Sequence, residues 1–183
     1  MADKKIIGIV GLMASGKGEA ARYIVEKYGA SSFRFSTMLK DVLDRYYLPD
    51  VRENYVIFSE IMRNAFGQDI MSKVIANDIV RDEHDLIVIE GIRRVSDAEH
   101  LRALPGFVLV KIVASPETRY DRLVRRDEKP DDRTKTYEQF LTDQNFPTER
   151  SIAEIMDQAE ISIDNNGSVE DFHRQLDKIV LKS

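Results

Sequence analysis

Apolar residues in this chain fall into short, nearly unbroken runs, separated by longer stretches with helical spacing. Five runs read as strands: Lys5–Val10, Ser32–Phe35, Asp85–Glu90, Gly106–Ala114 and Ala159–Asp164. Leu86-Ile87-Val88-Ile89 and the run from Phe107 to Val113 are almost continuous in apolar side chains. Strands of that kind are covered on both faces, as in a parallel sheet. After the first run, Ala20, Ala21, Ile24, Val25 and Tyr28 share one helical face. After the last, Val169, Phe172, Leu176 and Ile179 do the same, predicting a helix over 168–182 capped by Ser168. Alternating strand and helix predicts an α/β fold in three layers around a five-stranded parallel sheet. Residues 37–82, between the second and third runs, read as two or three helices broken at Pro49-Asp50 and near Gly67. No repeat, low-complexity tract or Gly/Ser-rich linker divides the 183 residues, so 1–183 reads as one domain carrying a helical insertion.

The loop after the first run changes the picture. Gly11-Leu12-Met13-Ala14-Ser15-Gly16-Lys17-Gly18 is a P-loop in a strand–loop–helix setting. Gly11 and Gly16 let the backbone bend so that successive N–H groups, with those of Met13, Ala14 and Ser15, turn inward around a phosphate. Lys17 is placed to reach the β- and γ-phosphates as a point charge. Most P-loops put Ser or Thr after this lysine to hold Mg²⁺; here the position is Gly18, followed by Glu19. Glu19 favours the helix dipole from the first turn, and a water-mediated part in holding the metal stays open beside that role.

In a parallel sheet, ligands bind at the carboxyl ends of the strands. Glu90 ends the third run and so lies at the ligand edge, a candidate to orient magnesium-bound water or the acceptor. Gly91 follows, where a ligand can come close, and one or both of Arg93 and Arg94 are placed to grip an acceptor phosphate with a planar fork. Thr37, Lys40, Arg52 and Arg63 of the insertion are candidate acceptor contacts, the two arginines falling on roughly one helical face. Arg34 reads as a paired surface charge inside the second strand.

Residues 115–136 have the composition of a lid. Pro116 opens a helix after Ser115, with Arg119, Arg122 and Arg126 along one stripe and Tyr120, Leu123 and Val124 on the apolar side. A polar stretch, Asp127-Glu128-Lys129-Pro130-Asp131-Asp132, comes next. A basic helix leading to such a loop suits closure over phosphates, with Arg122 and Arg126 neutralising charge in the transition state.

Composition narrows the classes further. A net charge of −5 argues against a broad nucleic-acid-binding face. With no cysteine, disulfides, thiol catalysis and cysteine-bound zinc are excluded. His84, His100 and His173 are scattered without metal-ligand spacing. No apolar signal segment opens the chain and no run reaches membrane-spanning length, so the expectation is a cytoplasmic protein, monomeric or homodimeric, with no membrane partner.

Taken together, the chain resembles the P-loop nucleotide kinase superfamily. Gly16-Lys17-Gly18 resembles the loop of adenylate kinases, and Gly16-Lys17-Gly18-Glu19 that of small archaeal adenylate-kinase-related ATPases. Phe35-Ser36-Thr37-Met38-Leu39-Lys40 is similar to the acceptor side of deoxynucleoside monophosphate kinases. Ile89-Glu90-Gly91-Ile92-Arg93 and Ala114-Ser115-Pro116-Glu117-Thr118-Arg119 with Arg122 are similar to the archaeal ATPases. Arg122-Leu123-Val124-Arg125-Arg126-Asp127 and Ile163-Asp164-Asn165-Asn166-Gly167-Ser168 are similar to dephospho-CoA kinase. The resemblance implies a P-loop NTPase fold, ATP as donor, Mg²⁺ as cofactor, and Asn165 and Gly167 beside the adenine. The expected activity is transfer of a γ-phosphoryl group to a (deoxy)nucleoside monophosphate. Two alternatives stand beside it: a dephospho-CoA kinase, and an ATP-hydrolysing switch or assembly factor that binds a protein or RNA.

Overall fold

The computed structural model describes residues 4–126 and 135–182. Its five strands are β1 (Lys5–Val10), β2 (Ser31–Arg34), β3 (Leu86–Glu90), β4 (Phe107–Val113) and β5 (Ile161–Asp164). They form one parallel sheet in the order β2-β3-β1-β4-β5. The helices among the described residues are α1 (Lys17–Tyr28), α2 (Phe35–Arg45), α3 (Arg52–Phe66), α4 (Ile70–Arg81), α5 (Pro116–Arg126), α6 (Tyr137–Asp143), α7 (Pro147–Met156) and α8 (Val169–Leu181).

Period-two alternation explains the layers. Ile7, Ile9, Val88, Val110 and Ile112 point to one face of the sheet, where they meet Ala20, Ala21 and Ile24 of α1 and Phe172, Leu176 and Ile179 of α8. Ile6, Val10, Ile87, Ile89 and Leu109 point to the other, against α2, α4 and Ile155 of α7. β1 and β3 are buried along nearly their whole length because helices cover both faces, which is why they read as continuous apolar runs.

Two expectations need correction. Phe35 does not end the second strand: it opens α2, its ring buried in the core beneath the sheet edge. No α-helix joins β3 to β4 either. A single 3-10 turn, Val95–Ala98, and further turns make the connection. Asp97 closes that turn by accepting from the backbone N–H groups of Arg93 at 2.9 Å and Arg94 at 3.1 Å. The insertion behaves as read: α2, α3 and α4 break at Pro49-Asp50 and at Gly67. The pair α6 and α7, which the apolar pattern did not announce, packs beneath the ligand edge through Phe140, Ile152 and Ile155.

Candidate active site

The turn from β1 into α1 builds the cradle. Ala14 and Gly16 both adopt left-handed backbone, with φ of 59° and 105°. Such turns gather successive N–H groups around a concavity at the positive end of the helix. The loop tolerates no side chain at two positions. A Cβ on Gly11 would lie 2.5 Å from Ser15 Oγ and 2.8 Å from the Ile112 carbonyl. One on Gly16 would run into the Asn165 amide. Lys17 Nζ donates to the Gly11 and Leu12 carbonyls, at 2.7 and 2.9 Å, and so folds back over its own loop.

The last strand braces this loop from behind. Asn165, just past β5, is buried and donates its side-chain N–H to Ser15 O at 2.8 Å. Arg122 of α5 donates to Asn165 O at 2.9 Å and to its Oδ1 at 3.3 Å. The other Arg122 terminal nitrogen, Nη1, is buried with no hydrogen-bond partner among the described residues, and so is Ser15 Oγ. Burial alone pushes the Arg122 guanidinium below its ordinary value. A desolvated cation and a free hydroxyl beside the phosphate-binding loop fit an anionic phosphate chain, although the Ser15 N–H is already used, donating to the Leu12 carbonyl at 3.2 Å. Arg119, one turn earlier, is 2% exposed and ties α5 to the P-loop through Met13 O at 3.4 Å, to Ala114 O at 3.2 Å and to Gln144 at 2.5 Å. It lies over the Phe140 ring. It holds the P-loop directly, while Arg122 reaches the loop through Asn165.

Across the cradle lies the acceptor edge. Glu90 ends β3, side by side with Arg34 at the end of β2, and the register of a parallel pair puts both at the ligand edge. Arg34 Nη2 donates to Glu90 Oε1 at 2.7 Å. The second carboxylate oxygen faces α1, 3.9 Å from where a Cβ on Gly18 would sit. Among the described residues no three His, Cys, Asp or Glu side chains gather into a metal cage. One edge carboxylate suits Mg²⁺ that arrives on nucleotide phosphates and keeps its waters, rather than a cage made of protein. Arg93 is exposed just beyond Gly91, and Thr37 is exposed in the first turn of α2.

The structure moves several expected site residues. Arg63 is not an open acceptor contact: it is 8% exposed and ion-paired with Asp97 at 2.6 Å. The face of α3 that carries it packs inward. Asn165 does not present its amide to a base, because both ends of that amide are committed to Ser15 and Arg122. Lys40 is held by Asp44 and Asp50 at 2.9 and 3.1 Å. Glu19 is paired with Arg22 and with His173 Nε2 at 3.1 Å, and His173 stacks on Tyr23. The carboxylate therefore serves the packing of α1 on α8. Arg52 is exposed at the start of α3, and Gly167 is exposed in the loop before α8. The side chain of Arg126, and Lys129 and Arg133 of the lid stretch, lie outside the described residues. Sequence reasoning missed Arg34 as a site residue, although the topology that placed Glu90 at the edge places its strand neighbour there too. It also missed Asp97, whose partners lie up to 34 residues away.

A family model described as an AAA domain matches residues 7–157. A UPF0200 protein of Saccharolobus solfataricus is 25% identical over 179 residues, covering 96% of this chain and 92% of that protein. One from Methanoregula boonei is 28% identical over 176 residues, covering 96% and 95%. Among solved structures, TT1252 from Thermus thermophilus superposes with a TM-score of 0.64 at 17% identity, over 98% of this chain and 99% of that one. Shikimate kinase from Acinetobacter baumannii, in complex with shikimate, does so with a TM-score of 0.58 at 18% identity, over 98% and 94%. At these identities the two structures speak for the fold, which is the kinase-like P-loop fold with its parallel sheet. No described helix is long and apolar enough to cross a membrane. The chain belongs to the AAA domain family, on a kinase-like P-loop fold.

Proposed function

We propose that this chain is an ATP- and Mg²⁺-dependent kinase that transfers the γ-phosphoryl group to a small nucleotide-type acceptor, a (deoxy)nucleoside monophosphate. One observation carries the reading: a buried Arg122 guanidinium, its Nη1 without a partner among the described residues, tied through Asn165 to a P-loop that carries an unpartnered Ser15 hydroxyl and Lys17. In this reading the loop amides from Gly11 to Gly18 hold the donor. Lys17 leaves its own carbonyls for the β- and γ-phosphates, which offer a charged acceptor in place of two neutral ones. Magnesium, when bound with the nucleotide, would supply positive charge to offset the charge that develops on the phosphates. Glu90 would hold it through water, and Arg122 stabilises charge on the transferring group, with Arg126 beside it on α5.

Arg93 and Thr37 sit where the acceptor phosphate would enter. An acceptor phosphate oxygen forms a bond to the γ-phosphorus as the bond to the β–γ bridging oxygen breaks, and the electron pair leaves with ADP. A phosphate dianion needs no general base.

The test is ADP release from MgATP against all ribo- and deoxynucleoside monophosphates plus dephospho-CoA, with product masses measured. One acceptor should stimulate turnover strongly and gain one phosphoryl mass. K17A should fold normally and lose that turnover. Turnover by K17A equal to that of the wild type, or uniform slow hydrolysis across the panel, would refute the kinase reading.

A further inference from the structure

The Arg34–Glu90 pair joins two groups that the proposed chemistry needs apart. Glu90 is nearly buried, with its side chain 12% exposed, while Arg34 is 53% exposed. A pair with one partner in solvent is screened from that side and is more easily broken than a fully buried one. A guanidinium fork on a phosphate dianion makes two charge-assisted bonds and is the stronger partner for Arg34. The comparison of magnitudes decides the order of events: an anion that reaches Arg34 takes it from Glu90. The approach is open, because Arg34 sits at the exposed junction of β2 and α2 and the first turn of α2 carries no acidic side chain. Arg93 is exposed on the neighbouring loop. A Cβ on Gly91, between the two edges, would lie 3.6 Å from Phe35 and 3.9 Å from the Arg34 stem.

We propose that Arg34 is a two-position arginine. Without an acceptor it holds Glu90; an anionic acceptor group draws the guanidinium away and frees the carboxylate to face the phosphate cradle across Gly18. The inference rests on the kinase reading above and adds a control to it. Glu90 is released for its task only when something is present to receive the phosphoryl group. Water, which is neutral and cannot compete for Arg34, leaves the pair closed. The arrangement thus guards ATP against hydrolysis in an empty acceptor site. Arg34 acts through Glu90 in this respect and is a positioning residue for the donor side, while it is a direct contact for the acceptor.

Three chains test it: wild type, R34Q and R34K. Three readouts are taken on each: affinity for a fluorescent ATP analogue, calorimetric affinity for nucleoside 5′-monophosphates in the absence of ATP and metal, and MgATP hydrolysis with no acceptor. The matching nucleosides, which lack the phosphate, serve as controls. R34Q should bind the ATP analogue like the wild type. It should lose about tenfold or more in monophosphate affinity, the loss expected for a charge-assisted hydrogen bond, with no change toward nucleosides. It should also hydrolyse ATP several-fold faster with no acceptor, and adding E90Q should abolish that gain. R34K, which keeps the charge and loses the fork, should fall between. The coupling requires both changes, so a shift in monophosphate affinity alone or in hydrolysis alone overturns it. Intact ATP binding with neither change refutes the role of Arg34 and leaves the kinase reading standing. Failure of the wild type to bind the ATP analogue brings down that reading and this inference together.

Discussion

Replacing Arg63 by Met should be strongly destabilising, although the residue lies outside the phosphate cradle. Arg63 and Asp97 have side chains only 8% and 3% exposed, 2.6 Å apart, and they join α3 to the turn after β3. Removing one partner of a buried pair strands the other charge, at about 3–5 kcal/mol. Here the carboxylate keeps two other donors, the N–H groups of Arg93 and Arg94. Those bonds hold part of the charge, so the loss for R63M falls at the low end, about 3 kcal/mol. At about 2–4 °C per kcal/mol for a chain of this size, Tm should drop by about 6–12 °C. D97A strands the guanidinium instead and releases the turn, at a similar or larger cost. Removing both partners relieves the stranded charge, so the double variant should be more stable than the sum of the single losses by about 2 kcal/mol. Urea denaturation of the four chains closes the cycle. A loss below about 1 kcal/mol for R63M, or strict additivity in the double variant, would refute the argument that this pair is a buried, interdependent unit.

G16A should abolish nucleotide binding and lower stability, because the position needs φ of 105° and its Cβ would strike the Asn165 amide; unchanged ATP affinity would contradict the packing. R122M should lower ATP affinity about tenfold or more while leaving Tm within a few degrees, since it removes a desolvated cation along with its bonds to Asn165; thermal melts with and without ATP read both numbers. Asp177 should govern the acid limb of stability. Burial pushes its carboxyl up, but hydrogen bonds from Tyr28, Lys27 and Tyr23 outweigh that and bring it to about 2. A depressed carboxyl stabilises the fold above its ordinary value of 3.8 and loses that contribution as pH falls toward 2. The Tm gap between wild type and D177N should therefore be constant above about pH 4 and shrink between about pH 4 and 2; a gap independent of pH would dismiss the assignment.

Local rules carried much of this molecule. The continuous runs at 86–89 and 107–113 disclosed a parallel sheet because both of their faces are covered, and covered strands leave no alternation to misread. Glu90 followed from topology alone. Arg63 was misjudged because spacing along α3 shows which residues share a face, not whether that face turns inward; the partner that settles it, Asp97, is remote in sequence. Asn165 was placed in the right neighbourhood with the wrong task, since only the folded chain shows that its amide is used up by Ser15 and Arg122. The pair α6 and α7 escaped notice because these helices are short and bury few side chains each, too few for a periodic stripe. Arg34 was legible by the argument that found Glu90, and needed only to be applied to the neighbouring strand.

The bridge from Asn165 to Ser15 spans 150 residues of chain. The loop that looks like the most local motif in the sequence is thus completed by a residue made 150 positions later. An emerging polypeptide carries the glycines and the lysine long before it has a cradle, and becomes competent for nucleotide only when β5 has joined the sheet. Nucleotide affinity should therefore report whether β5 has joined the sheet, and any truncation that removes β5 should leave a segment with the motif and without its grip.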